Sequence, residues 1–354
     1  MDLSFDAFLG SVSVPAITPS PATSGTLREL LFRDGHPHYV LTSYQFDRAD
    51  LDALFATTDR IRLLEKTEGG RRQLRSLLAG VRVVNLFAQP STRTCESFVA
   101  AAEKLGATAR VLSDMRATSF AKGETVEDAV RTLACFYDLL VCRHPDETFA
   151  ARAAWASATS DRPMPVISAG SGRSEHPSQA LLDLYTLHRE WRGVDGKRVL
   201  LIGDIGRNRA ARSLALLLTR YDRVAIDIAC HPSHPPEPAF VQLLSEAGIT
   251  PTFHDSLESG LATAPDALYV TRLQQEWDDG AAPLGTDDAF VLRPDLRDRV
   301  PDRCLILHPL PRVNELPDDW ASHPGFLIWR QIRNGMWVRA ALLAHVFGKA
   351  AQLG

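Results

Sequence analysis

Residues 81–106, VRVVNLFAQPSTRTCESFVAAAEKLG, contain the pattern that decides the fold. The apolar run at residues 81–87 is typical of a buried strand, because the strands of a parallel sheet are covered on both faces. Polar residues follow, and residues 96–105 then carry apolar side chains at helical spacing before Gly106, a residue that favours the end of a helix. A strand, a loop and a helix in this order predict one βα unit of a parallel sheet.

The same alternation repeats on both sides of a long helix predicted over residues 179–191. On its amino-terminal side, further strands are predicted at residues 109–112, 139–142 and 166–168, with a helix at 126–137. On its carboxyl side, strands are predicted at 198–203, 224–230, 267–270 and 304–307, with helices at 210–221 and 240–248. The sequence therefore predicts an α/β protein of two doubly wound parallel-sheet domains joined by a bridging helix.

Domain boundaries follow from this alternation. Residues 1–26 are rich in Ser, Thr, Pro and Gly and show little periodicity, which predicts a mobile N-terminal extension. The first domain is predicted over residues 27–177, with the C-terminal helix of residues 335–354 packing back on it. The second is predicted over residues 178–334.

The composition excludes several classes of protein. A chain of 354 residues with 45% hydrophobic and 23% charged residues is an ordinary globular protein of two domains, and its net charge of -4 is not that of a nucleic-acid binder. No segment has the ~18 apolar residues of a membrane span. The five cysteines form no Cys-x-x-Cys pair, which argues against a disulfide framework and a zinc site. We therefore expect a cytoplasmic protein.

The loop before the predicted helix at 96–105 has the composition of an anion site. Ser91, Thr92, Arg93 and Thr94 place three hydroxyls and one guanidinium at the start of that helix. Exposed backbone amides, the helix dipole and a planar guanidinium together bind phosphate groups well. The alternative is that Ser91 or Thr92 only caps the helix.

A dinucleotide site is a second alternative. Residues 203–209 follow a predicted strand and precede a predicted helix, as such a site requires. The Gly-x-Gly-x-x-Gly spacing is absent, however, and Arg209 stands near the last glycine position. This disfavours a dehydrogenase.

The loop at residues 91–94 resembles the Ser-Thr-Arg-Thr phosphate loop of the aspartate and ornithine carbamoyltransferases. Other motifs of that family follow in the family's order from about residue 40 to the C-terminus. They are Ser119 with Lys122-Gly123-Glu124-Thr125, Arg143-His144-Pro145, His176-Pro177-Ser178-Gln179-Ala180-Leu181-Leu182-Asp183, Gly203-Asp204 with Arg209, Thr271-Arg272-Leu273-Gln274 and His308-Pro309-Leu310-Pro311-Arg312.

The resemblance implies an enzyme that transfers the carbamoyl group of carbamoyl phosphate to an amino acid, without a metal or organic cofactor. It implies that Ser91, Thr92, Arg93 and Thr94 hold the phosphate, and that Thr94, Arg143 and His176 polarise the carbonyl. Gln179 and the backbone carbonyl of Leu310 are expected to bind the carbamoyl NH2. Arg209, Arg272 and Gln274 are expected to hold the acceptor's carboxylates.

The resemblance also implies a homotrimer, since Lys122 and Ser119 are expected to reach the site of a neighbouring subunit. It leaves open an association with regulatory or dihydroorotase chains. The first domain is then the carbamoyl phosphate-binding domain and the second the amino-acid-binding domain.

The acceptor suggested by the sequence is aspartate. The ornithine branch usually carries Cys where this chain has Pro309. Arg209 and Arg272 suit a dicarboxylate, whereas they would repel a cationic ornithine. The expected product is N-carbamoyl-L-aspartate, as in pyrimidine biosynthesis.

Several positions depart from the family pattern. Gln89 and Trp277 stand where Glu and Arg are usual, and in the family those two help to form the ionic link that holds the domains closed. Cys95 stands where Arg is usual, Ser171 where Asp is usual, and Arg207-Asn208 replaces a His-Ser or similar pair beside Arg209.

Two further hypotheses follow. One is a specialised paralogue that carbamoylates a different amino acid in secondary metabolism, because the departures concern domain closure and the acceptor. The other is a catalytically silent scaffold subunit, which the presence of Thr94, Arg143, His176 and Lys122 disfavours.

Overall fold

The computed structural model describes residues 4–12, 21–230, 235–272 and 290–354. The chain divides into two compact units, Met1–Leu182 with Arg333–Gly354 and Asp183–Ile332. The boundaries predicted from the sequence, after residues 177 and 334, lie a few residues from these.

The first unit is built around a parallel sheet. Its strands are β1 (Phe32–Arg33), β2 (His36–Pro37), β3 (Tyr39–Val40), β4 (Arg82–Phe87), β5 (Thr108–Leu112), β6 (Leu139–His144) and β7 (Val166–Ser171). Its helices are α1 (Phe5–Val12), α2 (Pro21–Leu31), α3 (Arg48–Leu64), α4 (Glu68–Leu77), α5 (Thr92–Lys104), α6 (Val126–Ala134) and α7 (Phe149–Ala158). The sheet has the order β3-β7-β6-β4-β5, and each neighbouring pair is parallel. Strands β1 and β2 form a separate antiparallel pair.

The first βα unit forms where its pattern predicts it. In β4 every residue after Arg82 is buried, as expected of a central strand. Helix α5 buries Phe98, Ala101 and Ala102, which lie on one face at spacings of three and four residues. Burial of that stripe sets the direction of α5 and therefore the position of its first turn.

The N-terminal segment contains helices that the sequence did not predict. Among its described residues, those of α1 and α2 are helical, whereas the sequence, which shows little periodicity there, predicted only a mobile extension over residues 1–26. Phe8 is fully buried, and the Phe5 ring lies 5.8 Å from the Trp155 ring on α7. The physical reason is tertiary, because the few apolar residues of this segment find a partner surface that no local periodicity reveals.

The second unit also contains a parallel sheet. Its strands are β8 (Arg198–Gly203), β9 (Ala225–Cys230), β10 (Thr252–Phe253), β11 (Ala267–Val270) and β12 (Leu305–Leu307), in the order β10-β9-β8-β11-β12. Every neighbouring pair is parallel. Helix α8 (Pro177–Trp191) leads into this unit, followed by α9 (Arg209–Leu218), α10 (Pro238–Glu246), α11 (Leu257–Leu261) and α12 (Ile328–Val346), which ends in the first unit.

The predicted fold class is confirmed, since each unit contains a five-stranded parallel sheet whose successive strands are mostly joined by helices. In such sheets the loops that follow the strands meet at the carboxyl edge, where ligands usually bind. The sequence motifs fall in these loops. Within the described ranges, no helix combines the length and the apolar composition that crossing a bilayer requires.

Candidate active site

The start of α5 is not capped by the side chain that precedes it. Ser91 occupies the cap position with extended backbone angles, φ -162 and ψ 92, yet its hydroxyl makes no capping hydrogen bond. Thr92 and Arg93 are exposed, and Thr94 is buried. Ser91 therefore does not cap the helix with its side chain, in contrast to the alternative considered from the sequence. The N–H groups of a first helical turn and the positive end of its dipole favour the binding of an anion there.

Arg143 lies beside this first turn. Its register partner is Phe87, the last residue of β4, and its carbonyl accepts a hydrogen bond from the Gln89 amide at 3.3 Å. Its side chain is half-buried, and Nη1 donates to the Ala169 carbonyl of β7 at 3.2 Å. Arg143 thus connects the loop after β4 with β7 near the carboxyl edge of the sheet.

His176 lies at the same edge, directly after β7. An isolated antiparallel bridge between Ser171 and Glu175 turns the chain back beside the end of β7. His176 is buried, and its carbonyl accepts hydrogen bonds from the Gln179 and Ala180 amides at 3.0 and 3.1 Å. His176 therefore lies directly before α8, whose first residue is Pro177, as expected for a proline at the start of a helix. It also contributes an imidazole to this edge.

Glu175 is a site residue that the sequence reading missed. Its buried carboxylate accepts hydrogen bonds from the Thr42 hydroxyl and from the Ser43 amide, the latter at 2.8 Å. Both partners follow β3, the strand next to β7. No local pattern links residues so distant in the chain, so only the folded structure reveals the contact.

Ser119 and Lys122 stand apart from the group formed by residues 91–94, Arg143 and His176, here called the first-unit cluster. They lie on a short 3₁₀ turn that ends at Gly123, whose φ of 85 is in the left-handed region. Both side chains are exposed. Within the described residues, no hydrogen bond or ion pair joins them to Arg143 or His176. Their predicted role in the site of a neighbouring subunit stays a prediction, because it concerns a second copy of the chain.

Arg272 lies at the carboxyl edge of the second sheet, just after β11. The preceding Thr271 is buried and donates to the Ile202 carbonyl from its amide at 2.8 Å and from its hydroxyl at 2.9 Å. At Gly203, with φ 104, an added Cβ would lie 2.1 Å from the Thr271 carbonyl oxygen. Only glycine allows the ends of β8 and β11 to approach this closely, and this approach brings Arg272 beside the loop that carries Arg209.

Arg209 is the first residue of α9. Asn208 caps this helix, because its side-chain oxygen accepts hydrogen bonds from the Ala210 and Ala211 amides at 3.1 and 3.0 Å. Arg207 pairs with the fully buried Asp204, with Nε and Nη2 2.8 and 2.7 Å from Asp204 Oδ2. The departure from the family pattern at Arg207-Asn208 therefore has a structural explanation, an ion pair and a helix cap.

Leu310 belongs to the loop after β12, at the same edge as Arg272. Its φ is 59, which is unusual for a residue with a side chain, and the Leu310-Pro311 peptide bond is cis. Its amide donates to His308 Nδ1 at 2.8 Å. Leu310, Arg209 and Arg272 form the second-unit cluster. Gln274 and Trp277, predicted to concern the acceptor, lie outside the described residues.

Two family models together match most of the chain. Residues 38–189 match the model of the aspartate/ornithine carbamoyltransferase carbamoyl-P binding domain, and residues 195–346 match that of the Asp/Orn binding domain. A multifunctional protein of Dictyostelium discoideum is 36% identical over 311 residues, which are 88% of this chain and 13% of that protein. The chain thus spans about one seventh of the length of such multifunctional relatives.

Shorter relatives match over nearly their full length. The aspartate carbamoyltransferase catalytic subunit of Methanoculleus marisnigri is 39% identical over 311 residues, 87% of this chain and 99% of the relative. The crystal structure of Trypanosoma cruzi aspartate transcarbamoylase in complex with carbamoyl phosphate and aspartate has a TM-score of 0.78 at 31% identity, covering 87% of this chain and 96% of that one. The catalytic subunit of M. jannaschii aspartate transcarbamoylase has a TM-score of 0.76 at 30% identity, covering 88% and 98%. The chain therefore belongs to the aspartate/ornithine carbamoyltransferase family.

Proposed function

We propose that the protein transfers the carbamoyl group of carbamoyl phosphate to the amine of L-aspartate, giving N-carbamoyl-L-aspartate and phosphate. The observation that carries this proposal is the first-unit cluster. An uncapped helix start with its hydroxyls and Arg93, the Arg143 guanidinium and the His176 imidazole occupy one edge of one sheet. A ligand with a phosphate next to a carbonyl requires donors of these two kinds side by side.

In this proposal each donor has a separate task. Ser91, Thr92, Arg93 and Thr94 hold the phosphate, because a helix start and a guanidinium favour a doubly charged oxyanion. Thr94, Arg143 and His176 donate hydrogen bonds to the carbonyl oxygen, on which negative charge develops during attack. Donors already fixed in place before the reaction lower its barrier most effectively. The half-buried Gln179 and the Leu310 carbonyl bind the carbamoyl NH2.

The reaction itself needs little covalent chemistry from the protein. The lone pair of the aspartate amine attacks the carbonyl carbon and forms the new C–N bond. The C–O bond to phosphate then breaks, its electron pair leaves with the phosphate, and the proton that the amine gives up passes to this phosphate. Orientation and fixed charge can supply most of the rate acceleration.

The acceptor is proposed from the charges of the second-unit cluster. Arg209 and Arg272, with Gln274, hold the carboxylates of the acceptor. Arg207 would add a third positive charge, but it is paired with the buried Asp204. The solved Trypanosoma cruzi relative contains aspartate together with carbamoyl phosphate, and this supports the same choice.

We further propose a homotrimer in which Ser119 and Lys122 complete the site of a neighbouring subunit. Their exposure in the single chain supports this role, since a side chain that acts in another subunit must project from its own. Lys122→Ala and His176→Ala proteins should each be inactive, and subunits exchanged between them should regain activity in mixed trimers. Absence of recovery after verified exchange would contradict shared sites.

A cytoplasmic location is proposed from the cysteines, since all five are free thiols. Regulatory or dihydroorotase chains remain candidate partners. Some relatives contain the matched region within a much longer multifunctional protein, which supports a search for such partners. Such partners would be revealed by isolating the protein from its own cells at native expression level, measuring the mass of the complex and identifying the chains that co-purify.

The decisive experiment is a steady-state assay of carbamoyl phosphate with L-aspartate and, separately, with other small amino acids and ornithine. N-carbamoyl-L-aspartate should be formed with the highest kcat/KM of the series. Preference for another amino acid would favour the specialised paralogue. Formation of no carbamoyl-amino acid from any amine would favour the silent scaffold.

A further inference from the structure

The loop that carries Leu310 also contains a buried acid–imidazole pair. His308 Nε2 lies 2.7 Å from Glu315 Oε1, and the two side chains are only 1% and 8% exposed. A buried carboxylate is costly unless hydrogen bonds compensate its lost hydration. Neither side chain has a task in the proposed chemistry, so the pair calls for another explanation.

The hydrogen bonds define which nitrogen of His308 carries the proton. The Leu310 amide donates to Nδ1 at 2.8 Å, so Nδ1 must be unprotonated. Nε2 then carries the hydrogen and donates it to Glu315. Glu315 thereby selects the only neutral tautomer that can accept from Leu310.

The surrounding charges agree with a neutral imidazole beside a charged carboxylate. Burial lowers the pKa of His308, and Glu315 opposes this only in part, while Arg312 and Arg272 lower it further. Burial raises the pKa of Glu315, but hydrogen bonds from His308 and from backbone amides outweigh it, so the net pKa lies below its usual value. A second proton on His308 would place an N–H against the Leu310 amide.

The base of the loop is held independently. The His308 amide donates to Gln331 Oε1 at 3.1 Å, and Gln331 Nε2 donates to Asp183 Oδ1 at 2.6 Å. Tyr269 donates its hydroxyl hydrogen to Asp183 Oδ2 at 2.6 Å. These buried contacts tie the His308 backbone to Gln331 on α12 and, through Gln331 and Asp183, to α8 and β11.

Leu310 needs such a support. Its left-handed backbone conformation is unfavourable for a residue with a Cβ and persists only where the surroundings enforce it. Glu315 also accepts from the Val313 amide, at 3.1 Å to Oε1 and 3.2 Å to Oε2. The pair therefore braces the loop on both sides of Pro311.

We propose that Glu315 is a positioning residue for carbamoyl recognition. By accepting the Nε2 hydrogen of His308, it keeps Nδ1 available for the Leu310 amide and holds the Leu310 carbonyl oxygen where the NH2 of the substrate can donate to it. This inference rests on the proposed function, because Leu310 has a ligand only if carbamoyl phosphate binds.

Two stable analogues separate this role from general support of the fold. Phosphonoacetamide contains the NH2 group, whereas phosphonoacetone has a methyl group there, which cannot donate a hydrogen bond. We expect the wild-type protein to bind phosphonoacetamide more tightly. In Glu315→Ala, affinity for phosphonoacetamide should fall about tenfold, the effect of roughly one hydrogen bond, with phosphonoacetone unchanged. Isothermal titration calorimetry measures both dissociation constants.

Three variants keep the test sharp. Glu315→Gln retains an acceptor for His308 and should retain most of the discrimination. If Glu315→Ala does not fold, His308→Leu/Glu315→Leu removes the same support without stranding a buried charge, and should also lose the discrimination. His254→Gln alters a different histidine–carboxylate pair, in which His254, directly after β10, lies 2.9 Å from the buried Asp227 of β9, and it should leave the discrimination unchanged.

The possible failures can be told apart. Equal loss of affinity for both analogues in Glu315→Ala, or unchanged discrimination, would overturn the positioning role while leaving the proposed function in place. A wild-type protein that binds both analogues equally would also overturn it. A wild-type protein that binds neither analogue would instead overturn the proposed function.

Discussion

Thr42 donates its hydroxyl hydrogen to the buried carboxylate of Glu175, 133 positions further along the chain. The Ser43 amide donates to the other carboxylate oxygen at 2.8 Å. Because Glu175 directly precedes His176, these bonds tie the turn that carries His176 to the chain segment after β3. The orientation of the imidazole in the first-unit cluster thus depends on a contact between two sequence regions that carry no common motif.

We expect Glu175→Ala to weaken both the fold and turnover. The buried Ser43 amide and Thr42 hydroxyl would lose their acceptor, at a cost of about 2–3 kcal/mol in the free energy of unfolding. Once the turn that carries His176 is released from this contact, kcat should fall by a larger factor than the KM for carbamoyl phosphate rises. Urea denaturation and steady-state kinetics measure the two effects. Glu175→Gln, which keeps one acceptor, is the matched control. An unchanged kcat in a destabilised Glu175→Ala protein would show that the contact serves the fold alone.

We expect Arg93→Ala mainly to raise the KM for carbamoyl phosphate. Loss of a charge-assisted hydrogen bond to phosphate is worth about 1.5–3 kcal/mol, or roughly 10- to 100-fold. His176→Ala, which removes the proposed donor to the developing oxyanion, should instead lower kcat by roughly 10²- to 10³-fold. Arg72→Ala is the control, because Arg72 is exposed and pairs with Glu68 on α4. Equal KM values in Arg93→Ala and Arg72→Ala would remove Arg93 from the phosphate site.

Arg272→Ala should raise the KM for the acceptor by at least tenfold and leave that for carbamoyl phosphate within about twofold, because Arg272 is proposed to hold a carboxylate of the acceptor and not the phosphate. Separate titrations of the two substrates test this. The exposed Arg303, which precedes β12, provides a matched Arg303→Ala control in the same unit. If Arg272→Ala uses the acceptor as well as this control does, the acceptor pocket lies elsewhere.

Stability should fall between pH 6.5 and 4, partly because of His38. Burial, with help from Arg33, lowers the pKa of His38 to about 4. In this range the unfolded chain binds a proton that the native imidazole does not, so the free energy of unfolding decreases as the pH falls, by at most ~1.4 kcal/mol per pH unit for one group. Above pH 6.5 both states are neutral and the contribution is constant.

The His38→Gln protein should therefore lose less stability than the wild-type protein between pH 6.5 and 4. Urea denaturation at half-unit pH intervals gives the two curves. Since burial also lowers the pKa of His144, His308 and His345, part of the acid loss should remain in the variant. Parallel curves for the two proteins would rule out a contribution from His38.

The sequence by itself determined the two α/β units and the order of their motifs. Apolar runs such as residues 82–87 and the helical stripe of α5 are local patterns, and a strand or helix that buries one face must display them. The helix start at residues 91–94 was recognisable for the same reason, because its chemistry is contiguous in the chain. The prediction of fold class and the family resemblance are accordingly confirmed.

Only the tertiary structure decided how those motifs are supported. The docking of α1 against Trp155, the Thr42–Glu175 hydrogen bond and the Glu315–His308–Leu310 chain are contacts made by packing. The polar residues that form these contacts show no periodicity in the sequence. Their separation along the chain depends on which strands lie beside one another in the sheet. Which carboxylate is buried, and which imidazole nitrogen keeps its proton, therefore becomes defined only when the strands are assembled.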